Sequence, residues 1–293
     1  MYKSLNEHLR ERFGTKVYKI ALSSGCTCPN RDGTVGVGGC IFCADTGSGD
    51  FAQRADLPIG EQIKLAKEKI ASKNKGGKYI AYFQSFTNTY GSVECLESKF
   101  MEAIADEEVV ALSIATRPDC LPKDILEMLK RLNRIKPVWV ELGLQTIHEE
   151  TAKYIRRGYP LKVYDRAVKD LHAVGVEVIT HVIIGLPGET KADMLETVQY
   201  VVNGKAEGIK LQLLHVIEGT DLAKDYRAGA FNTLTMDEYI EIIKECVALI
   251  PETMVIHRLT GDGNKRTLLA PLWSGDKKKV INALNRALQS ETL

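Results

Sequence analysis

Val138-Trp139-Val140-Glu141-Leu142-Gly143-Leu144-Gln145 places Val138, Val140, Leu142 and Leu144 on one face of an extended chain and Trp139, Glu141, Gly143 and Gln145 on the other. The first face suits packing against helices. The second holds a carboxylate and an amide, which a purely apolar core would not accept. Similar β-type runs occur at residues 17–22, 78–84, 109–115, 176–185 and 208–216. Helical stripes alternate with them: Ile59, Ile63, Ala66 and Ile70; Val93, Leu96, Phe100 and Ile104; Val163, Ala167, Leu171 and Val174. Strands that alternate with helices predict a parallel sheet, and six such units predict an α/β fold, a partial (β/α)6 TIM-like barrel.

In such a barrel one strand face packs on helices and the other lines the lumen, with functional groups at the C-terminal strand ends. The alternation puts Tyr82, Gln84, Ser113, Arg117, Glu177, His181, Lys210 and Gln212 on lumen faces with Glu141 and Gln145. A lumen this polar needs partners or solvent, so it is expected to be a pocket. Parity is the risk, since one bulge reverses the faces of a strand. Thr190 with Asp193, and Thr235 with Glu238, are spaced as capping boxes. After Gly229 the pattern changes to a helix from about Thr235 to Leu249, a short strand near 254–256 and a last helix from Asp276. The expected division is a barrel over residues 1–230 and an α-rich extension over 231–293 packed on it.

The 293 residues are 44% hydrophobic and 26% charged, the composition of a soluble globular chain. No apolar run approaches the length a bilayer requires, and Met1-Tyr2-Lys3-Ser4 leads into charged residues, so no membrane association and a cytoplasmic location are expected. A net charge of +1 argues against coating nucleic acid by bulk charge. The lysines Lys73, Lys75 and Lys78, and Lys277-Lys278-Lys279, read first as solvated faces, with contact to RNA as the alternative.

Four of the seven cysteines crowd between Cys26 and Cys43. They lie in Gly25-Cys26-Thr27-Cys28-Pro29-Asn30-Arg31-Asp32-Gly33 and Gly38-Gly39-Cys40-Ile41-Phe42-Cys43, directly after the first strand. A glycine-rich loop lets distant thiolates converge on a cluster while its N–H groups donate to the sulfides. Cys40 and Cys43 form a close pair, and Cys28 is a distant third ligand. Three ligands on a four-iron cluster leave one iron open to a substrate. The rival reading is a tetrahedral structural zinc site formed by Cys26, Cys28, Cys40 and Cys43. Cys95, Cys120 and Cys246 read as packed thiols, His148, His172 and His215 as surface or core histidines. His257, before Arg258 and the Gly261-Asp262-Gly263 turn, reads equally as a group at the barrel mouth or as part of a loop.

With these motifs the chain resembles the radical S-adenosylmethionine superfamily, in which a cluster loop follows the first strand of a partial barrel. The superfamily's usual cysteine spacing is three residues and then two, whereas eleven residues separate Cys28 from Cys40 here. That spacing, with Leu142-Gly143-Leu144-Gln145-Thr146, Arg157-Gly158 and Ile184-Gly185-Leu186-Pro187-Gly188-Glu189-Thr190, resembles the YtqA/YhcC-like subfamily, related to the Elongator catalytic subunit and to oxygen-independent coproporphyrinogen oxidase.

The resemblance implies a [4Fe-4S] cluster on Cys28, Cys40 and Cys43, with Cys26 a bystander, and S-adenosylmethionine as second cofactor. It implies that Phe42 borders the adenine and that Gln84 and Ser85 stand where relatives receive the methionine ammonium, although their Gly-Gly-Glu motif is absent. Gln145 would bond the ribose and Arg157 the methionine carboxylate, while His181, Gly185 and Gln212 would line the nucleoside. Reductive cleavage of the sulfonium would give a 5'-deoxyadenosyl radical. The subfamily implies transfer RNA as substrate, with carboxymethylaminomethyl-uridine at the wobble position becoming aminomethyl-uridine, and a reductase or a flavodoxin- or ferredoxin-type electron donor. Arg117, Lys210 and Arg258 are the candidates to pair with the substrate carboxylate. A radical enzyme for a small molecule such as a porphyrinogen, and a zinc-stabilised RNA-binding module without catalysis, stay open as alternatives.

Overall fold

A computed structural model of the chain describes residues 2–45, 47, 52–74, 76–261, 263 and 265–289. Lys75 and Asp262 lie outside the described residues. In chain order the elements are α1 (Leu5–Phe13), β1 (Val17–Leu22), α2 (Ile59–Ile70), β2 (Lys78–Phe83), α3 (Val93–Ala105), β3 (Val109–Thr116), α4 (Lys123–Asn133) and β4 (Val138–Gln145). There follow α5 (Glu149–Tyr154), α6 (Leu161–Ala173), β5 (Glu177–Ile184), α7 (Lys191–Asn203), β6 (Gly208–Leu213), β7 (Val216–Ile217) and α8 (Asp221–Arg227). The C-terminal part holds α9 (Met236–Leu249), β8 (Val255–Arg258), β9 (Leu268–Ala270) and α10 (Lys277–Gln289).

Seven strands form one parallel sheet in the order β1-β2-β3-β4-β5-β6-β8, curled into a half-barrel. Val138, Val140, Leu142 and Leu144 pack into the helix-facing core with Leu129, Leu171 and Val198, as the alternation in β4 requires. The six-strand expectation is one short. β8, from the segment read as an external extension, pairs with β6 through Gly208↔Val255, Ile209↔Ile256 and Lys210↔Arg258. A division at residue 230 therefore runs through a single sheet. The run read as one strand over 208–216 instead breaks after Leu213, and β7 pairs antiparallel with β9.

Register shifts occur at Tyr79/Ile80, Gly143/Gln145 and Ile209/Lys210, yet the lumen faces of β2, β4 and β6 are those the alternation predicts. At the N-terminal end of the strands, α1 closes the lumen. Its Leu9, with Leu5 and Phe13, packs against Val17, Ile80, Ala111, Trp139 and Ile179. Ser4 caps this helix through the Glu7 amide, and the preceding residues bridge to Ile256 of β8. Both capping boxes form, Thr190 with Asp193 on α7 and Thr235 with Glu238 on α9.

Candidate metal and cofactor site

The loop after β1 is fixed at both ends by buried amides. Gln62, fully buried on α2, accepts from the Ser23 amide (2.9 Å) and donates to the carbonyls of Ser23 (3.1 Å) and Leu57 (2.9 Å). Asn88 accepts from the Ser24 hydroxyl (2.6 Å) and donates to the carbonyls of Phe83 (3.1 Å) and Ala115 (2.9 Å), tying the loop to β2 and β3. Further along, Asn30 donates to the Arg156 carbonyl (2.6 Å) and lies 3.5 Å from Cys40 Sγ. Ile41 zips the loop to the molecule, its amide donating to Ile155 (3.1 Å) and its carbonyl accepting from Leu222 (2.9 Å). Gly36 is required for close approach, since a Cβ there would meet Asn30 Oδ1 at 2.4 Å. A second apolar cluster, including Ile41, Ile155, Ile183, Leu186 and Leu214 with Phe42 packed on it, lies beneath.

The result is a pocket of about 160 Å³ at the C-terminal strand ends, lined by Cys28, Cys40, Cys43, Phe42, Gln84, Gln145, Gln212, His181, Arg117 and Arg157. Positive φ values at Phe86 (57°), Gln145 (66°) and Arg156 (57°) flank it, strained backbone that the surroundings must hold. Burial pushes the Cys40 thiol up to about 12, and burial likewise raises Cys43, while Arg117 and Arg31 oppose the rise. Thiols so placed ionise when a cation binds them.

Cys28, Cys40 and Cys43 fit a cluster better than a single ion. Tetrahedral zinc holds its sulfurs roughly 3.8 Å apart, from a bond of about 2.3 Å. Among the described residues, the group of three His, Cys, Asp or Glu donors within 4.8 Å of one another is His148, Asp193 and Glu196, and no set of three cysteines meets that limit. Cys26 does not line the pocket. Its sulfur lies against Gly91, its thiol is raised by burial, and the nearby groups are Ser24, Lys99 and Cys95. The four-thiolate zinc reading thus loses its fourth ligand.

Below the pocket the lumen is filled by charge. Glu141, with its side chain wholly buried, accepts from Lys19 (2.6 Å), Ser113 (2.6 Å), His181 Nε2 (2.8 Å) and Lys210. Lys210 also donates to the Tyr82 hydroxyl at 3.1 Å. Glu141 stays ionised, held well below the usual carboxylate range against its burial by Lys19 and Lys210. Burial drives His181 down to about 4, so it is neutral near pH 7. Because Glu141 is a carboxylate, the His181 proton sits on Nε2 and Nδ1 is left as an acceptor.

Of the expected substrate cations, Lys210 and Arg258 are neighbours on adjacent strands, and Arg117 stands apart from them. Arg117 lines the pocket but is engaged with Asp119 (2.9 and 2.7 Å) and the Arg157 carbonyl (2.9 Å). Lys210 lies beneath, on Glu141, and Arg258 lines a separate side cavity. Arg157 is 2% exposed and donates to the carbonyls of Tyr159 (3.0 Å), Leu144 (3.4 Å) and Thr146 (2.5 Å), with Glu149 at 3.4 Å. In this state its fork clamps the turn after β4, which the carboxylate-pairing expectation did not foresee. Ser85 and Gly185 stand at strand ends without lining the pocket; a Cβ on Gly185 would meet Leu234 Cδ1 at 3.0 Å. Arg31, Lys19, Asn30 and Asn88 were missed. Arg31 donates to the carbonyls of Cys43 (2.9 Å) and Ala44 (2.5 Å) and stacks on Phe86, and its position inside the cysteine loop was the available signal.

A parallel half-barrel with Cys28, Cys40 and Cys43 at its C-terminal mouth is the frame of an enzyme built around an iron-sulfur cluster. Residues 25–201 match the Radical SAM superfamily and residues 206–290 the Radical_SAM C-terminal domain, and the chain belongs to that superfamily. It is a radical SAM enzyme whose cofactors are a [4Fe-4S] cluster and S-adenosylmethionine. YtqA of Bacillus subtilis (strain 168) is 46% identical over 99% of this chain and 90% of that protein. A tRNA uridine(34) acetyltransferase of Methanocaldococcus jannaschii is 31% identical over 57% of this chain and 31% of its own length. The structure of Methanocaldococcus infernus Elp3 with an N-terminal deletion superposes with a TM-score of 0.71 at 19% identity, covering 94% of this chain and 63% of that one.

Proposed function

We propose that the chain modifies the wobble uridine of transfer RNA, converting carboxymethylaminomethyl-uridine to aminomethyl-uridine. The observation that carries this reading is the 31% identity to a protein that acts on tRNA uridine 34. The thiol-lined pocket, edged by three glutamines and a neutral histidine, supports it, because these groups suit a nucleoside held by hydrogen bonds. When bound, the cluster and S-adenosylmethionine supply a carbon-centred radical that abstracts hydrogen.

Cys28, Cys40 and Cys43 would hold the cluster. Phe42 would border the adenine, Gln84 and Ser85 the methionine ammonium, Gln145 the ribose, and His181, Gly185 and Gln212 the nucleoside. Arg157, by clamping the Gln145–Thr146 turn, would act on the methionine end through the shape of that turn. For the substrate carboxylate we favour Arg117 over Lys210 and Arg258, because it lines the pocket; Asp119 would have to yield its fork. Loss of a hydrogen atom from the methylene between nitrogen and carboxylate, of one further electron, for which the oxidised cluster would be the acceptor, and of the N–H proton would give an imine, which water would cleave to the aminomethyl group and glyoxylate. His181, neutral and lining the same pocket, would offer Nδ1 to the reacting nucleoside as a hydrogen-bond acceptor. A reductase, or a flavodoxin- or ferredoxin-type protein, would supply the activating electron. A cytoplasmic setting accords with this reading, and among the described residues no helix is long and apolar enough to cross a membrane.

The test is an anaerobic reaction with transfer RNA carrying the carboxymethylaminomethyl nucleoside, read by nucleoside mass spectrometry. Appearance of aminomethyl-uridine is expected. Cleavage of S-adenosylmethionine with the nucleoside unchanged would reject this substrate.

A further inference from the structure

Asn30 lies inside the cysteine loop and is 4% exposed, yet it does not line the thiol-walled pocket. Its side chain meets the site through Cys40, toward whose Sγ it donates from Nδ2 at 3.5 Å.

The orientation of that amide is fixed. The Arg156 carbonyl, 2.6 Å from Nδ2, can only accept, so the amide nitrogen and not the oxygen faces it. A primary amide carries two N–H bonds, and the second is left for the sulfur. Oδ1 is turned toward Gly36 and Gly158, where an added Cβ would come within 2.4 and 3.3 Å of it. The Asn30 carbonyl accepts from the Gly39 amide at 2.7 Å, which fixes the backbone on both sides of the contact, since Cys40 follows Gly39.

Holding this donor in place requires unusual backbone. Arg156, whose carbonyl anchors the amide, has a φ of 57°, and Gly158 has a φ of 80°. A tie between loop and turn alone does not call for such an arrangement, because the Ile41 amide already joins the same two segments through the Ile155 carbonyl at 3.1 Å. What Asn30 adds to that tie is an N–H directed at a sulfur.

A hydrogen bond to a cluster sulfur is one of the levers that set a cluster's reduction potential. The bond strengthens as negative charge builds on its acceptor, so it favours the reduced state over the oxidised one and raises the potential. We propose that Asn30 is a positioning residue for the cluster's electron chemistry: by aiming one N–H at the Cys40 thiolate it makes the cluster easier to reduce. The inference rests on Cys40 as a cluster ligand and is independent of the transfer-RNA reading.

The test is a redox titration of the anaerobically reconstituted full chain without RNA, followed by electron paramagnetic resonance, in the parent, Asn30→Leu and Asn30→Asp. Leucine removes the donor at similar volume, and aspartate keeps the shape while adding a negative charge. At a fixed ambient potential the ratio of reduced to oxidised cluster should fall about three- to tenfold in Asn30→Leu, about 30 to 60 mV for a one-electron couple, and further in Asn30→Asp. A parental potential in Asn30→Leu protein with its full iron content would overturn the proposal. A second measurement needs the parent alone and decides the matter where the variants fail to hold iron. With nitrogen-15 in the asparagine side chains, pulsed resonance of the reduced cluster should show a coupling to that nucleus, and its absence would equally overturn the proposal. Full iron content in Cys40→Ala would remove the ligand assignment itself, and the proposal with it.

Discussion

Glu141 lies at the centre of the lumen with two ammonium groups, an imidazole and a hydroxyl on its two oxygens. Removing its charge while keeping its shape leaves Lys210, buried, and Lys19, partly buried, without a counter-charge, so Glu141→Gln should destabilise the fold by roughly 3–5 kcal/mol. Urea unfolding measures this, and a variant as stable as the parent would contradict the network. The histidines give a pH signature. Burial first, then the charge on Lys210, lowers His181 from 6.5 to about 4, and burial, then Lys19, holds His257 well below 6.5. The unfolded chain therefore binds more protons than the folded one between about pH 6.5 and 4, and stability should fall as pH drops through that window. His181→Asn should remove about 2 kcal/mol of this dependence between pH 7.5 and pH 5. Urea midpoints at about pH 7.5 and pH 5 report it. An unchanged slope in the variant would place the His181 imidazole elsewhere. Several of these groups were readable beforehand: the β4 alternation put Glu141 and Gln145 in the lumen, and the same parity placed His181 and Lys210 beside them. The engagement of Arg117 with Asp119 and of Arg157 with three carbonyls was not readable, because a motif shows that an arginine is present and not which acceptors surround it.

Elements at the two ends of the barrel carry different loads. α1 closes the N-terminal end through Leu9, so Leu9→Ala should cost about 2–5 kcal/mol in urea unfolding without altering the thiol loop at the far end. Thr235 caps α9 through the Glu238 amide (3.3 Å), and Thr235→Ala should cost about 1 kcal/mol by the same measurement. Both capping boxes were visible as spacings, because the motif is local and its partners lie three residues apart. The strand expected near 254–256 is β8, but its place in the barrel sheet was hidden for the opposite reason. A four-residue strand has too few residues for a period, and its partner β6 lies over forty positions earlier. α1 escaped as well, since Leu5-Asn6-Glu7-His8-Leu9-Arg10-Glu11-Arg12-Phe13 presents a narrow apolar stripe that gains its meaning from Trp139 and Ile179.

At the scale of the whole molecule, a sheet finished by β8 from the C-terminal segment and plugged by α1 from the N-terminal one holds the thiol loop at its open end. The chain should therefore behave as a single cooperative unit. Cutting it after residue 230 removes the partner of β6 along with α9 and α10, and the product should fail to show cooperative unfolding by circular dichroism. Above this frame, Cys28, Cys40 and Cys43 share one pocket while Cys26 turns toward Gly91. The most direct test is the iron and sulfide content of reconstituted protein, with 5'-deoxyadenosine release after reduction, in the parent and in single Cys→Ala variants at 26, 28, 40 and 43. Four irons and cofactor cleavage retained in Cys26→Ala, and both lost in the other three, are predicted. Loss in Cys26→Ala, or persistence of cluster and cleavage in Cys40→Ala, would contradict a cubane held by these three thiols with one iron left open.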